Sequence, residues 1–446
     1  MADYYVNGVS GDDNHNGTSA ALAFKTIHQA LCHVAPGDNV YIKDTGPYTA
    51  AARHSAIPVF TGGSWNPTTR RVTKAGQFVD YSYQSGDRIW LASASIGNGG
   101  WYPVAAVIDD DTLLLADNSL YPGGALSDIH NDCTTAMAAL CIAGSSDAWI
   151  RIKGYGSSVE DAGIVTLDSS DVFEHGFVGL SGNNYYRIEN IAVRNTLDTC
   201  WQWASGDYVS FRRCAAVNSN GNNGWRGRDR CTWRDCTAEH HGTGILGVNY
   251  NQVVGCAISD CASVGISLTM FSGAVGCTVH DCPTGIYLFS HGAVAFCTVF
   301  NCSSVGVRQA TISSSHISVI NCTIDGGGLI GSVGVQCHAM AAGVINCILH
   351  NCATCLKAPT AFGDLLVTRH NMYNPSSGGT AVEGFALGEG SVVGIDPRFV
   401  DEAGHDYRLR WDSPARAAGW PAYLDMGAQQ RKENSRGRGI LTGGEM

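Results

Sequence analysis

A short motif recurs at a nearly constant interval between Asn190 and about Leu356. Each copy has a cysteine, replaced by asparagine in the first copy, followed by apolar residues at alternate positions, and the copies are about 20 to 25 residues apart, a spacing typical of solenoid repeats. The anchor positions are Asn190, Cys214, Cys236, Cys256, Cys277, Cys297, Cys322 and Cys347. This period constrains the fold more than any other feature, because each copy must stack on its neighbours.

The second half of each copy is also patterned. In four copies another cysteine follows, at Cys261, Cys282, Cys302 and Cys352, and a glycine with a bulky apolar residue comes later. Apolar residues two apart indicate short strands, and Asn, Asp and Gly between them indicate sharp corners. No helical period occurs inside a copy, which excludes helical and leucine-rich repeats. Each copy therefore predicts three short strands joined by corners, which is one turn of a parallel β-helix.

On these residues the copies resemble the rungs of right-handed parallel β-helix proteins, the pectate-lyase-like superfamily. That superfamily includes polysaccharide lyases, glycoside hydrolases and bacteriophage tailspikes. The resemblance covers most of the chain and implies an all-β, right-handed, single-stranded parallel β-helix. Two segments, from Gly11 to Ile42 and from Asp396 to Ala428, are similar to the caps of bacterial and bacteriophage β-helix surface proteins. The resemblance is specific for fold and says little about function.

The pattern divides the chain into five parts. We predict an N-terminal cap with the first rungs over 1–59, a small inserted antiparallel β module over 60–127, and the parallel β-helix over 128–395. A C-terminal cap then covers 396–430, and 431–446 is a flexible tail. In the N-terminal cap, apolar residues at helical spacing predict an amphipathic helix across the open end of the β-helix, at Phe24, Ile27, Leu31 and Val34.

Composition narrows the functional class. The formal net charge of −11 argues against a nucleic-acid surface and disfavours docking on anionic lipid. No apolar stretch reaches the length needed to cross a membrane. No secretory signal precedes the first strand, so we interpret the 18 cysteines as a reduced packing ladder rather than a disulfide framework. We expect no cofactor and no metal, and we interpret Asp109–Asp111 as a hairpin turn.

The segment 198–241 is rich in tryptophan, arginine and carboxylate residues, which together suit a carbohydrate-contacting surface. The predicted glycan-binding residues are Trp203, Trp233, Arg228 and Arg234. The alternative interpretation is structural: Trp201 and Trp225 occupy the position of Ile245 in the next copy, so they are expected to point inward, and His241 occupies the position of Cys261.

The same segment holds candidates for catalysis. A glycosidase needs two carboxylates roughly 5–10 Å apart, one of them protonated. Asp229 and Glu239 lie in adjacent copies and are the candidates, with His240 beside them. A lyase would need a basic residue and a neutraliser of the uronate charge; arginines are present, but no paired acidic calcium motif accompanies them.

Three functions are compatible with these observations. The first is a bacteriophage virion-surface structural protein, of spike, fibre or decoration type, that contacts glycans and self-associates, as a homotrimer by analogy. It would assemble in the host cytoplasm and dock on a larger particle through 431–446. The alternative is a polysaccharide lyase or glycoside hydrolase on the same fold. The third is a bacterial surface-adhesion module, and the alternative location is extracellular.

Overall fold

The computed structural model describes residues 1–12, 15–46, 48–49, 63–66, 68–75, 88–93, 96–109, 111–115, 124–126, 128–130, 136–139, 144–161, 163–171, 175–179, 184–310, 316–338, 341–358, 366–384, 386–421 and 424–430. Nearly all regular structure in these residues is β-strand. The helices among them are α1 (Ile27–His33) and a 3-10 turn at Ala20–Leu22. The chain divides into a first unit, Met1–Gly273, and a second unit, Ala274–Met446.

The strands of the first unit are short and follow one another closely. They are β1 (Asp3–Val6), β2 (Asn39–Lys43), β3 (Tyr48–Thr49), β4 (Gly63–Asn66), β5 (Arg71–Thr73), β6 (Arg88–Ser93), β7 (Ile96–Asp109), β8 (Thr112–Leu115), β9 (Gly124–Leu126), β10 (Asp128–His130), β11 (Ala136–Ala139), β12 (Ile150–Tyr155), β13 (Val165–Asp168), β14 (His175–Val178), β15 (Tyr186–Glu189), β16 (Ile191–Thr196), β17 (Thr199–Asp207), β18 (Val209–Arg212), β19 (Ala215–Ser219), β20 (Asn223–Asp229), β21 (Thr232–Arg234), β22 (Thr237–Glu239), β23 (Thr243–Asn249), β24 (Gln252–Val254), β25 (Ala257–Ser259) and β26 (Val264–Met270).

The next strand, β27 (Gly273–Val275), begins at the last residue of the first unit. The strands of the second unit are β28 (Thr278–His280), β29 (Thr284–Ser290), β30 (Gly292–Ala295), β31 (Thr298–Phe300), β32 (Val305–Gln309), β33 (His316–Ile320), β34 (Thr323–Asp325), β35 (Val333–Gln336), β36 (Ala341–Ile345), β37 (Ile348–His350), β38 (Thr354–Lys357), β39 (Leu366–Arg369), β40 (Met372–Asn374), β41 (Thr380–Glu383), β42 (Val392–Val393), β43 (Phe399–Asp401) and β44 (Asp406–Leu409).

Each unit is a parallel β-solenoid with three sheets. In the first unit, sheet 1 has the order β1-β2-β12-β15-β18-β21-β24, sheet 2 the order β3-β13-β16-β19-β22-β25, and sheet 3 the order β11-β14-β17-β20-β23-β26. In the second unit, sheet 1 contains β30-β33-β36-β39, sheet 2 contains β28-β31-β34-β37-β40-β42, and sheet 3 contains β29-β32-β35-β38-β41. The chain passes from sheet 1 to 2 to 3 and back to 1, so each turn has a 1–2, a 2–3 and a 3–1 corner.

The core follows from the register of the parallel strands. Equivalent residues of successive turns are strand partners, so inward side chains stack directly on one another. In sheet 3 of the first unit, Phe177 pairs with Trp201, and Trp201 with Trp225, which pairs in turn with Ile245. The rings of Trp201 and Trp225 are stacked, with centroids 4.7 Å apart. Both indoles are fully buried, which confirms the prediction that they point inward.

The repeated cysteine has a specific place at the 1–2 corner. The residue before it has a positive φ, for example Arg213 (50°) and Asp235 (53°), so the chain turns sharply there. The buried thiols of Cys214 and Cys236 then donate to the carbonyls of Arg212 and Arg234, at 3.3 and 3.4 Å. The fifteen cysteines from Cys200 to Cys355 are all buried thiols. This agrees with a reduced packing ladder.

Four apolar residues between Phe399 and Met426 pack against sheet 2 of the second unit, to which they also belong. Phe399, Tyr407, Ala415 and Met426 form one apolar cluster with residues of sheet 2, namely Phe300, Ile348 and Met372. Polar contacts add to it, because Tyr407 Oη donates to Asp325 Oδ2 at 2.8 Å. The predicted tail, 431–446, lies outside the described residues.

The predicted N-terminal helix cap is not supported. The apolar stripe predicted a helix through Phe24 and Val34, but α1 has only seven residues. A helix of that length is about 10 Å long, or about two strand spacings. It is too short to cover the end of three sheets.

An antiparallel sheet lies between β3 and β11, as the sequence predicted. Its seven strands have the order β10-β6-β7-β8-β5-β4-β9. Its described strands fall between Gly63 and His130, so β10 lies just beyond the predicted bound at 127, and Asp109 pairs with Thr112. No helix within the described ranges is long and apolar enough to span a membrane.

We expect Trp225→Ala to destabilise the protein strongly, because Trp225 is fully buried and its indole N–H donates to Thr237 O at 3.1 Å. Large-to-small substitutions of this kind cost about 3–5 kcal/mol. Urea unfolding followed by circular dichroism measures the change. Trp411→Ala is the control: its side chain is 85% exposed, so we expect a change within about 0.5 kcal/mol. Equal effects of the two substitutions would contradict the assignment of Trp225 to the core.

Candidate functional site

Two of the predicted glycan-binding residues are core residues. Trp203 and Trp233 have no exposed surface, so neither can contact a ligand from solvent. Trp203 lies in β17 and stacks on Phe177, whereas Trp233 lies in β21 and stacks on Phe211. The prediction that these indoles contact a glycan is therefore wrong, because the inward positions of sheets 1 and 3 accept aromatic rings as readily as aliphatic side chains.

The two candidate catalytic carboxylates lie on different sheets. Asp229 ends β20 in sheet 3 and pairs with Asp207 and Asn249. Glu239 ends β22 in sheet 2 and pairs with Val217 and Ser259. A strand of sheet 1, β21, lies between β20 and β22 along the chain. The structure therefore does not assemble Asp229 and Glu239 into a carboxylate pair.

His240 and the two predicted arginines also separate. His240 is the 2–3 corner residue after Glu239, and its Nδ1 lies 3.4 Å from Glu239 Oε1. Arg234 is exposed on sheet 1, next to the 1–2 corner. Arg228 is exposed on sheet 3, one residue before Asp229. The predicted site residues thus form separate groups: Asp229 lies with Arg228, and Glu239 lies with His240.

The structure instead gives Asp229 a different carboxylate partner. Asp207 is its strand partner in β17, at the 3–1 corner, and Asn249 follows on the next strand. Asn249 Nδ2 donates to Asp229 Oδ1 at 2.8 Å, and Asn184 Oδ1 accepts from the backbone N–H of Asp207 at 2.7 Å. We call this group, with the flanking Arg228, Tyr208, Arg230 and Tyr250, the aspartate corner.

Two arginines offset the charge of the aspartate corner. Arg230 Nη1 lies 3.8 Å from Asp207 Oδ2, and Arg228 Nε lies 3.8 Å from Asp229 Oδ2. Burial and the neighbouring Asp229 raise the pKa of Asp207, although Arg230 and Arg228 act in the opposite direction. Burial and the second carboxylate therefore prevail, and Asp207 holds its proton to a higher pH than an isolated aspartic acid.

The 3–1 corner residues of successive turns form a column of rings and one cation. Tyr185 stacks on Tyr208 at 4.9 Å, Arg230 lies between Tyr208 and Tyr250 at 5.1 and 5.3 Å, and Tyr250 stacks on Phe271 at 5.3 Å. All five have positive φ, between 51° and 62°. Stacking covers the ring faces, so the half-exposed Tyr250 offers mainly its edge to solvent.

The aspartate corner thus presents acceptors, donors and apolar edges on adjacent strands. Asp207, Arg230, Tyr208 and Tyr250 were not predicted from the sequence. What Tyr208, Arg230 and Tyr250 share is their position in the sequence, because each of them comes immediately after the last residue of a sheet 3 strand.

Two further groups bring three possible metal-ligand atoms within 4.8 Å of one another. Glu239, His240 and Asp260 are all exposed, and exposed acidic groups of this kind are common without a bound ion. In the second group, His350 and Asp325 already bond to Glu402 and Tyr407 at 2.8 Å. Hydrogen bonding to the C-terminal segment accounts for that arrangement.

Comparison with known protein families identifies the fold of the chain. The family described as "Right handed beta helix region" matches residues 175–324. No curated protein sequence matches the chain. The chain has the fold of the right-handed parallel β-helix superfamily, in agreement with the resemblance seen in the sequence.

One of the solved structures compared with the chain, the pectate lyase Pel9A, gives the same result. The pectate lyase Pel9A is similar, with a TM-score of 0.57 and 13% identity over 97% of this chain and 96% of that one. A rhamnogalacturonan lyase gives 0.44 and 11% identity over 90% and 91%. The tailspike protein gp49 from Pseudomonas phage LKA1 gives 0.26 and 12% identity over 80% and 69%. At such low identity, the similarity to Pel9A shows the fold alone.

We expect Asp229→Asn to lower the pKa of Asp207, because the substitution removes the neighbouring negative charge. Carboxyl ¹³C resonances followed against pH measure the effect. Asp235→Asn is the control, since Asp235 is an exposed residue of the 1–2 corner. An unchanged Asp207 titration in Asp229→Asn would contradict coupling between the two carboxylates.

The raised pKa of Asp207 also affects the free energy of unfolding. The contribution of Asp207 to that free energy falls as pH rises from 3.8, the ordinary value, through the folded-state pKa. Asp207→Asn should remove that component.

Proposed function

We propose that the protein is a glycan-binding β-helix surface protein whose ligand contacts the aspartate corner. The observation that carries this proposal is the placement of Asp207 and Asp229 on adjacent strands, between Arg228 and Arg230. Adjacent hydroxyl groups of a sugar can donate to a carboxylate and accept from a guanidinium at the same time. Charged hydrogen bonds of this kind are stronger than neutral ones and give orientation.

The column of stacked rings at the 3–1 corner supports the same interaction by supplying apolar contacts. Tyr250 and Phe271 are each 51% exposed and lie beside the polar group. Their edges supply apolar contact for the C–H groups of a sugar, while the stacked neighbours hold them in place. A rigid contact surface loses little conformational entropy on binding.

The test is binding to a panel of polysaccharides by affinity electrophoresis and calorimetry. We expect Arg228→Gln to weaken binding about tenfold, as loss of a charged hydrogen bond does. Arg213→Gln is the matched control, because Arg213 is an exposed arginine at the 1–2 corner. Arg234→Gln shows whether the ligand also reaches sheet 1. If Arg213→Gln weakens binding as much as Arg228→Gln, the aspartate corner is not the site.

A second candidate function, glycoside hydrolysis, rests on the raised pKa of Asp207 beside Asp229. Strand partners are separated by about 4.8 Å, and retaining glycosidases place their carboxyl groups about 5–5.5 Å apart. Asp207 would supply the proton and Asp229 the nucleophile. Reducing ends released from the same polysaccharides should disappear in both Asp207→Asn and Asp229→Asn. Release that persists in both variants would exclude this pair.

We further propose a location and an assembly. The similarity of the N-terminal and closing segments to those of bacteriophage surface proteins supports a virion-surface role, as a spike, fibre or decoration protein assembled in the host cytoplasm. By analogy, the protein would form a homotrimer and dock through residues 431–446.

Deletion of residues 431–446 is expected to abolish copurification with virions while leaving glycan binding unchanged. The full-length chain is the control, and sedimentation analysis reports the oligomeric state. A monomeric full-length protein would exclude the trimer. Undiminished attachment of the truncated chain would exclude docking through this segment.

A further inference from the structure

The second unit contains a cavity of about 270 Å³ at the C-terminal ends of the sheet 3 strands β35, β38 and β41. Its lining residues are Gln336, Cys337, His338, Lys357, Ala358, Glu383 and Gly384. Gln336, Lys357 and Glu383 are successive strand partners, so their side chains emerge side by side. The volume is slightly below that of drug-sized ligand sites, about 300 Å³ and more. It suits a small molecule.

Two cations lie near His338. Arg308 is the strand partner of Gln336 and is held against the ring of Tyr287, with 5.9 Å between its Cζ and the ring centroid. Lys357 lines the cavity itself. Burial, followed by the charges of Arg308 and Lys357, lowers the pKa of His338. Both cations therefore act at this imidazole, and the field around it favours an anion.

The imidazole of His338 has an unused hydrogen-bonding atom. Its Nε2 is buried without a hydrogen-bond partner among the described residues. The backbone N–H of His338 donates to the side-chain oxygen of the fully buried Gln309 at 3.1 Å, which fixes the position of the residue. A buried polar atom without a partner is costly, and a hydroxyl group of a ligand would satisfy it.

Among the described lining residues, Glu383 is the acidic side chain, and Lys357 holds it weakly. Lys357 Nζ lies 2.9 Å from Glu383 Oε1, but their side chains are 41% and 49% exposed. Exposed ion pairs contribute little, so a competing carboxylate can replace Glu383 at Lys357. The remaining wall is apolar and neutral: Ala358 is buried, and burial raises the pKa of Cys337 to about 12.

We propose that this cavity binds a small hydroxy acid. Its carboxylate replaces Glu383 at Lys357, and its hydroxyl groups bond to His338 Nε2 and the Gln336 amide. No residue of the aspartate corner takes part, so this site stands or falls independently of the proposed glycan contact.

The experiment is calorimetric titration of the full-length protein with gluconate, acetate, sulfate and glucose. We expect gluconate to bind most tightly, acetate more weakly because it has no hydroxyl groups, and glucose not at all because it has no charge. Lys357→Met should weaken gluconate binding about tenfold or more. Glu383→Gln should tighten it several-fold, because the competing carboxylate is gone. Arg408→Met is the matched control: Arg408 pairs with Asp406 in the same unit, outside the cavity lining.

Histidine ¹³C resonances provide a second measurement, with His338 assigned by its loss in His338→Gln. Gluconate should raise the pKa of His338, because a bound anion offsets the two cations. Failure of gluconate to bind, or unchanged affinity in Lys357→Met with a normal thermal midpoint, would overturn the site. Weaker binding by Glu383→Gln would also overturn it. Sulfate binding as tightly as gluconate would exclude the hydroxy-acid assignment.

Discussion

The structure depends on one constraint, which is that the chain must turn sharply three times per rung while every strand stays in register with the next. The turn is made by residues with positive φ, many of them not glycine, such as Arg213, Asp235 and Tyr250. Each costs roughly 1–2 kcal/mol in a residue with a Cβ. The cost is offset locally. At the 1–2 corner the following cysteine donates its thiol to the carbonyl two residues earlier, as Cys297 does to Ala295 and Cys347 to Ile345, at 3.4 and 3.3 Å. The repeated cysteine thus has a physical reason: it is small, it packs as an apolar residue, and its thiol adds a second hydrogen bond to a carbonyl that already accepts a backbone N–H, as Ala295 does from Gly276 and Ile345 from Asn321.

At the 3–1 corner of the first unit the same cost is offset by stacking. Tyr208, Arg230 and Tyr250 are brought into contact by the strand spacing, and aromatic and cation–π contacts contribute about 0.5–1.5 kcal/mol each. The aspartate corner follows from this arrangement, because the residues at the ends of the sheet 3 strands must also lie in register. Asp207 and Asp229 face each other because β17 and β20 pair, and burial together with mutual repulsion raises the pKa of Asp207. The structural repeat therefore brings titratable groups together without any separate scaffold.

This explains which parts of the fold were predictable. The cysteine period fixes where strands and corners recur, and the interior positions of Trp201, Trp225 and His241 follow by alignment of the copies. The same alignment also places Trp233 inside, since it stands three residues before Cys236, as Val253 does before Cys256, and both are buried. The tryptophan, arginine and carboxylate content of the segment 198–241 suggested that Trp233 contacts a glycan, and that prediction was wrong. The Asp207–Asp229 pair was harder to see, because the register shifts between Trp203 and Asp207 and strand counting fails. The length of the N-terminal helix was overestimated, because an apolar stripe indicates which face of a segment is buried but not the residues at which a helix ends.

The inward positions of a β-solenoid leave little freedom for function, because each is in contact with its equivalent on the next turn. Substitution at Trp225 disturbs Trp201 and Ile245 together, so these positions are held by packing.

Residues at the ends of sheet 3 strands are different, because they contact solvent on one side and packing does not fix the volume of their side chains. Both candidate sites arise there within their own unit: Asp207 and Asp229 end β17 and β20, while Gln336, Lys357 and Glu383 end β35, β38 and β41. The chemistry differs because the neighbours differ. In the first unit a carboxylate pair is partly neutralised by Arg228 and Arg230, which suits the hydroxyl groups of a neutral sugar. In the second unit Arg308 and Lys357 both act on His338, and the one carboxylate among the described lining residues, Glu383, pairs with Lys357 and is exposed, so the positive charge is in excess and favours an anion.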